Sequence, residues 1–258
     1  MAAETQYAFN TGMVRISTAN SNLDGTGTLG TVLTAAANGT FIKTITVKAQ
    51  TTTTQGMARL FIYDGTNTKL VAEIEIPAVV KSATDPAFET RIPLNITLKA
   101  GYVLKASTEN AETFIVIAEA QDWAYYISSV RSDTTKYRIY NSAVGISAAN
   151  PNLDGTGTLD TALVSGGCNL QSVTIKAKLD TTPGMVRLFF YDGTNTMLFT
   201  EIPVPAVTRS AIAQSFYHKI VFENGFAIKS GWSLKASTEK GEAFNVITEA
   251  LNLVAYPA

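Results

Sequence analysis

The stretch GMARLFIYDGTNT at residues 56–68 returns almost letter for letter as GMVRLFFYDGTNT at residues 184–196. Laid over each other, the two extend the match outward until residues 6–123 align with residues 136–253. About half the positions are identical, and internal periodicity of this kind constrains a fold before any motif does. NSNLDGTGTL (20–29) matches NPNLDGTGTL (150–159), and LKASTENAETFIVIAEA (104–120) matches LKASTEKGEAFNVITEA (234–250). Each copy is long enough to bury its own core, so the pattern is a tandem duplication rather than a solenoid. The expected organisation is one repeat over 1–123, a linker over 124–135 and a second repeat over 136–258. In the linker, AYYISSV is expected to pair as a terminal strand before the turn-like RSDTT.

Both copies read as strands throughout. Runs of β-branched and aromatic residues alternate with Gly, Asn, Asp and Pro punctuation. In the first copy strands are expected near 13–18, 31–35, 41–49, 58–63, 69–76, 89–96, 102–107 and 114–120. No segment keeps a 3.6-residue apolar period for more than two turns. The expected fold is all-β: two tandem homologous β-sandwich domains of about eight strands each. A jelly roll is preferred, with an immunoglobulin-like sandwich as the alternative.

Within 41–49, Phe41, Ile45, Val47 and Ala49 are expected on the core face, and Thr44, Thr46 and Lys48 in water. Asp64 and Gly65 should turn a tight hairpin, because glycine admits the positive φ that such a connection needs. Pro77 and Pro205 should end the returning strand. A second hairpin is expected to join 102–107 to 114–120, whereas the long link 79–87 fits a Greek-key crossover. Two extra residues near 36–38 in the first copy, and two near 223–224 in the second, point to surface loops.

Composition narrows the function classes. Hydrophobic residues make up 46% of the 258 and charged residues only 16%, below the usual quarter. A formal net charge of −1 supplies no basic footprint for nucleic acid. Cys168 is the only cysteine, so no intrachain disulfide forms. The first ten residues do not resemble a signal peptide, and no apolar run approaches a membrane span. Cytoplasmic synthesis is the expectation.

Candidate chemistry is sparse. His218 is the only histidine and aligns with Thr90; neither it nor Cys168 lies in a nucleophile signature, and zinc ligation needs several such residues. Asn20, Asn22, Asp24 and Gly25 mimic the first half of an EF-hand loop. However, Thr31 and Thr161 stand where the closing Glu belongs, so an Asx turn is expected. Glu119, Glu249, Glu73 and Glu201 are retained between copies and expected on the solvent face of a sheet. Catalytic, metal and cofactor sites are all expected to be none.

The other face of the repeated strand carries Met57, Arg59, Phe61 and Tyr63, repeated as Met185, Arg187, Phe189 and Tyr191. Met, Arg and aromatics are the types enriched at protein interfaces. These eight are the expected subunit or domain interface, with cover on both sides by the domain itself as the competing reading.

The YDGTNT hairpin, EIEIPAV and EIPVPAV, LKAGYVLKAST and IKSGWSLKAST, and AETFIVIAEA together resemble segments of bacteriophage virion structural proteins of capsid or decoration type. The resemblance implies a non-enzymatic subunit of a virus particle, a capsid auxiliary or decoration protein, or a double jelly-roll shell protein. It would contact itself and other virion proteins, as a homo-oligomer with a trimer favoured, and with neither nucleic acid nor membrane as partner. The competing class is a carbohydrate- or receptor-binding module, with Tyr102 and Trp232 as candidate platforms, although core burial suits residues that large.

Overall fold

The computed structural model describes residues 5–125, 136–164, 167–209 and 214–254, and among these there is no α-helix. The chain divides into two compact units. The first holds β1 (Thr5–Ile16), β2 (Gly30–Thr34), β3 (Thr40–Ala49), β4 (Gly56–Tyr63), β5 (Thr68–Ile76), β6 (Glu89–Leu98), β7 (Val103–Thr108) and β8 (Phe114–Tyr125). The second holds β9 (Lys136–Ile146), β10 (Asp160–Val164), β11 (Cys168–Ala177), β12 (Gly184–Tyr191), β13 (Thr196–Val204), β14 (Tyr217–Ile228), β15 (Ser233–Thr238) and β16 (Phe244–Val254). Strand β8 includes Ala124 and Tyr125, so it enters the expected linker; residues 126–135 lie outside the described ones.

The strand orders are β1-β8-β3-β6 and β2-β7-β4-β5 in the first unit. In the second they are β14-β11-β16-β9 and β10-β15-β12-β13, the same two sheets eight strands later. Within each unit only β4–β5 or β12–β13 joins neighbours in one sheet; the other connections between successive strands of the unit cross between its two sheets. That is the jelly-roll arrangement, and it displaces the immunoglobulin-like alternative. The link between β5 and β6 is a crossover as expected. The second expected hairpin is corrected: β7 pairs with β2 and β4, whereas β8 pairs with β1 and β3. Local sequence marks the turn between them but does not record that the chain changes sheet there.

In the first unit the core draws on both sheets. Ile42, Ile45, Val47, Val116 and Ala118 from one meet Ala58, Leu60, Ile74, Leu104 and Ala106 from the other. In the second unit the space between the sheets is aromatic at one end. Phe190 of β12 stacks on Phe226 of β14 at 5.3 Å, with Phe199 at 5.2 Å and Phe222 at 5.7 Å from Phe226. The first copy places Ile62, Val71, Leu94 and Ile96 opposite these positions, so one backbone plan is filled by two different packings.

Two further expectations, one of alternation and one of loop placement, need correction. A bulge in β3, where Lys43 is the extra residue against β8 between Ile42 and Thr44, shifts the side-chain parity. Ile42, not Phe41, therefore enters the core at 0% exposure. Thr46 and Lys48 are buried rather than solvated. The Lys48 ammonium donates to the Ala87 carbonyl at 2.9 Å and lies 3.6 Å from Glu89. Lys176 does the same to the Ser215 carbonyl at 3.0 Å. Each lysine thereby pins the crossover preceding β6 or β14 to its sheet, which rationalises a charge kept inside.

The second correction concerns the insertion at 223–224. It does not lengthen a loop. It widens a bulge in edge strand β14, where pairing with β11 jumps from Val221–Ser172 to Phe226–Leu170. The first copy makes the smaller version of this bulge with Asn95 at φ 52°. Phe222, 7% exposed and aligned with Leu94, lies beside the insertion and joins the aromatic cluster.

The repeated hairpin closes through a four-residue loop in which the Asp64 N–H donates to the Asn67 carbonyl at 3.1 Å. Gly65 sits at φ +99° and Gly193 at +100°, with nothing within 4 Å of an added Cβ. Backbone strain alone sets the cost there. Gly65→Ala is expected to lose about 1–2 kcal/mol, checked by the shift of the urea midpoint at unchanged slope.

Candidate functional site

The repeated outer row sits beneath a loop of its own unit. In the first copy residues 17–29 leave β1 and bridge β7, where Ala19 pairs in parallel with Thr108 and the Asn20 N–H donates to the Thr108 carbonyl at 2.8 Å. The loop then reaches β5: a Cβ on Gly25 would lie 2.5 Å from the Thr68 side chain. These two anchor points bracket Phe61, which is fully buried. The second copy repeats both anchors at Asn150 and at Gly155 over Thr196, and Phe189 is likewise buried.

Each arginine in the row is the hub of that arrangement. Arg59 donates through Nε to Glu73 at 2.9 Å, faces Glu109 at 3.4 Å and donates through Nη1 to the Asn20 carbonyl at 3.4 Å. Arg187 makes the corresponding contacts with Glu201 at 3.1 Å, Glu239 at 3.3 Å and the Asn150 carbonyl at 3.2 Å. A carboxylate from the neighbouring strand, one from just beyond the end of β7 or β15, and one loop carbonyl thus converge on one planar cation, a geometry suited to guanidinium. Depth differs between the copies. The Glu201 side chain is 0% exposed, against 42% for Glu73.

The row is therefore divided by role. Arg59, Phe61, Met185, Arg187 and Phe189 are buried, whereas Met57, Tyr63 and Tyr191 are half-buried. Both tyrosines carry a lysine over the ring, Lys105 at 4.5 Å and Lys235 at 4.1 Å from the centroid. Each phenol also donates to a turn carbonyl, Gly65 or Gly193, at 2.7 Å. The alternation makes the row visible in sequence. The covering loop is not, because its contacts are long-range.

The Asn-x-Asn-x-Asp loops spend their polar groups on themselves. Asn20 Nδ2 donates to the Thr26 and Thr28 carbonyls at 2.9 and 3.0 Å, and its Oδ1 accepts from the Asn22 N–H at 3.0 Å. Asp24 Oδ1 accepts from both the N–H and the hydroxyl of Thr26, at 2.9 and 2.6 Å. The Thr26 hydroxyl and N–H together hold the Asp24 carboxyl below its ordinary range. Asn150, Asn152, Asp154 and Thr156 reproduce the network. The Asx-turn geometry therefore describes these loops. Asn150 is 2% exposed; Asn150→Ala strips three backbone groups of their partner and is expected to destabilise by about 1–3 kcal/mol. A thermal melt of the variant beside Asn152→Ala, an exposed neighbour expected to cost less, checks it.

The remaining sequence candidates do not converge. His218 is exposed on β14 and Cys168 is buried at the start of β11. The carboxylates expected on solvent faces need correction in two cases. Glu119 is 3% exposed, held by Lys43, Thr44 and Arg91, and Glu201 is buried against Arg187. Each stays inside because a cation from an adjacent strand neutralises it. Glu249, its first-copy counterpart being Glu119, is part-exposed; the Ser172 hydroxyl and Lys219 hold its carboxyl below the usual range. Glu73 remains partly in water. Trp232 is 8% exposed and lies 6.2 Å from Phe190, and Tyr102 packs against the first core. Neither is an open platform. No group of three or more His, Cys, Asp or Glu side chains able to hold a metal occurs among the described residues.

Sequence reasoning missed the ties at the long-loop end. Thr53 and Val79 form an isolated bridge, as do Thr181 and Val207. Glu112 accepts from the Thr54 N–H and hydroxyl, as Glu242 does from Thr182. Retained Thr-Thr pairs facing a retained Glu were the available signal.

No family model matches this chain, and no curated protein matches it. Solved structures similar to it include the STIV MCP, 10% identical with a TM-score of 0.29, covering 98% of this chain and 97% of that one. The major capsid protein P2 from Bacteriophage PM2 is 11% identical with a TM-score of 0.27, covering 96% and 100%. The CBM22-1-CBM22-2 tandem domain of Xyn10C from Paenibacillus barcinonensis is 9% identical with a TM-score of 0.25, covering 97% and 93%. At such scores these likenesses do not bear on function, and they point to different classes.

Proposed function

We propose that this chain is a non-enzymatic structural subunit of a virus particle, acting through protein–protein contacts. The observation that carries the reading is the same eight-strand jelly roll formed twice in one chain, each with its own core. The fold alone hosts many functions; the resemblance of the YDGTNT, LKAST and AETFIVIAEA segments to bacteriophage virion proteins supports this one. The finer role is a capsid auxiliary or decoration protein, with a double jelly-roll shell subunit as its close variant. A trimer is the favoured assembly, because three such chains present six similar units around one axis. Within this reading the outer row contributes Met57, Tyr63 and Tyr191 to subunit contacts, while its buried members hold the covering loop behind them. Virion localisation after synthesis in the host cytoplasm follows.

Sedimentation of the purified chain, with electron microscopy of the particles of its native source, tests the proposal. A discrete higher oligomer and density at a repeating particle position support it. A monomer at all concentrations that binds immobilised glycans would instead favour the carbohydrate- or receptor-binding alternative.

A further inference from the structure

The sequence contains six dipeptides at which a side-chain carbonyl can be attacked by the following glycine nitrogen. Two are Asn-Gly, at Asn38 and Asn224, and four are Asp-Gly, at Asp24, Asp64, Asp154 and Asp192. Glycine at the second position leaves the attacking nitrogen unhindered, because it has no Cβ. By sequence the two Asn-Gly steps are equivalent. We infer that the tertiary structure leaves Asn38 as the site of spontaneous deamidation in this protein.

The four aspartates are engaged. Asp24 and Asp154 each accept from the N–H and hydroxyl of the threonine two residues on. Asp64 and Asp192 each accept from the next two N–H groups after the glycine, at 2.7–2.9 Å. Ring closure at aspartate expels water and needs the carboxyl protonated. A carboxylate held ionised by two or more donors, as at Asp24 and Asp64, is both a poor electrophile and turned towards the wrong nitrogens. Asn224-Gly225 is protected differently. Gly225, at φ +72°, lies in the bulge of β14 with Asn169 packed so closely that an added Cβ would meet its Oδ1 at 2.1 Å. Residues on either side pair with β11, so the backbone swing required for attack is blocked unless the strand opens.

Asn38 has none of these restraints. It is exposed on the turn between β2 and β3, and its side-chain amide makes no hydrogen bond among the described residues. Gly39, at φ +91°, donates its N–H to the Ala36 carbonyl at 2.9 Å. That bond and the one the Ala36 N–H donates to the Thr40 hydroxyl at 3.0 Å are the local interactions to break, and turns open at the low end of the stability range. The Gly39 nitrogen gives its proton to solvent and bonds to the Asn38 Cγ, the Cγ–Nδ2 bond breaks, and the departing NH2 takes a proton from solvent to leave as ammonia. Water then opens the succinimide at either carbonyl, leaving aspartate or isoaspartate. The second copy has Gly166 and Gly167 at the aligned turn, so the lability belongs to the first unit.

The test is peptide mapping of the full chain by fragmentation that separates isoaspartate from aspartate, after incubation at mildly alkaline pH. Conversion at Asn38 is expected about tenfold faster than at Asn224 in the folded protein, the size of one modest local-opening barrier. In concentrated urea the two should converge, because the difference is structural. N38Q should abolish the main mass gain without changing the thermal midpoint. Faster conversion at Asn224 or at any of the four aspartates would overturn the inference. So would an unequal ratio that persists in urea, or a folded protein in which Asn38 stays intact while N224Q suppresses the mass gain.

Discussion

Replacing Arg187 with methionine lowers the unfolding free energy of the second unit by about 3–5 kcal/mol, the cost of leaving buried charge without its counter-ion. Methionine matches much of the arginine stem, so little of the loss is cavity. What remains is Glu201, fully buried, and Glu239 at 18% side-chain exposure, together with an Asn150 carbonyl that loses its donor. The same change at Arg59 is expected to cost about 1–2 kcal/mol, because Glu73 and Glu109 are 42% and 34% exposed and water can take over their solvation. Urea unfolding followed by tryptophan fluorescence measures both. Trp232 reports the second unit when Trp123 is replaced by phenylalanine. Equal losses at the two arginines would show that the loop contacts, not the buried carboxylates, set the energy.

Phe226→Ala is the second large effect, expected at about 3–5 kcal/mol. Phe226 is 0% exposed and touches Phe190, Phe199 and Phe222 with ring centroids 5.2–5.7 Å apart. Its removal takes away a large apolar surface and three ring contacts, and the surrounding rings cannot collapse into the space without leaving their rotamers. The first-copy counterpart Ile96 is only partly buried, so Ile96→Ala should cost less than half as much. Calorimetry of both variants checks the pair. A comparable drop for the two would mean that the inserted residues of β14 do not change how that end of the core packs.

These effects show where sequence stopped being sufficient. The strand positions, the hairpin turn at Asp64-Gly65 and the core row Ala58, Leu60, Ile62 follow from two-residue alternation and turn chemistry, which are local. The outer row was legible for the same reason. Its cover was not, since nothing near Arg59 announces that a loop forty residues upstream will place a carbonyl on its guanidinium. Alternation puts Lys48 and Glu119 in water because a charged residue in an alternating strand is ordinarily solvated. Their partners, the Ala87 carbonyl and Arg91, come from strands or links brought alongside only by the fold. The β3 bulge has the same effect at Phe41: one extra residue reverses parity, and its signal lies in the register with β8 rather than in β3 itself.

By itself the amino-acid sequence determined that this protein is one all-β unit made twice, with the same strands, turns and alternating faces in each. Those properties depend on neighbours in the chain, and duplication preserves them. Only the tertiary structure decided that the connection after β7 changes sheet and that the outer face is roofed by its own loop. It likewise decided that two arginines with nearly identical local sequence have carboxylate partners at different depths. Strand order, cover and dielectric surroundings are properties of residues distant in sequence, and they exist only once both sheets have closed on each other.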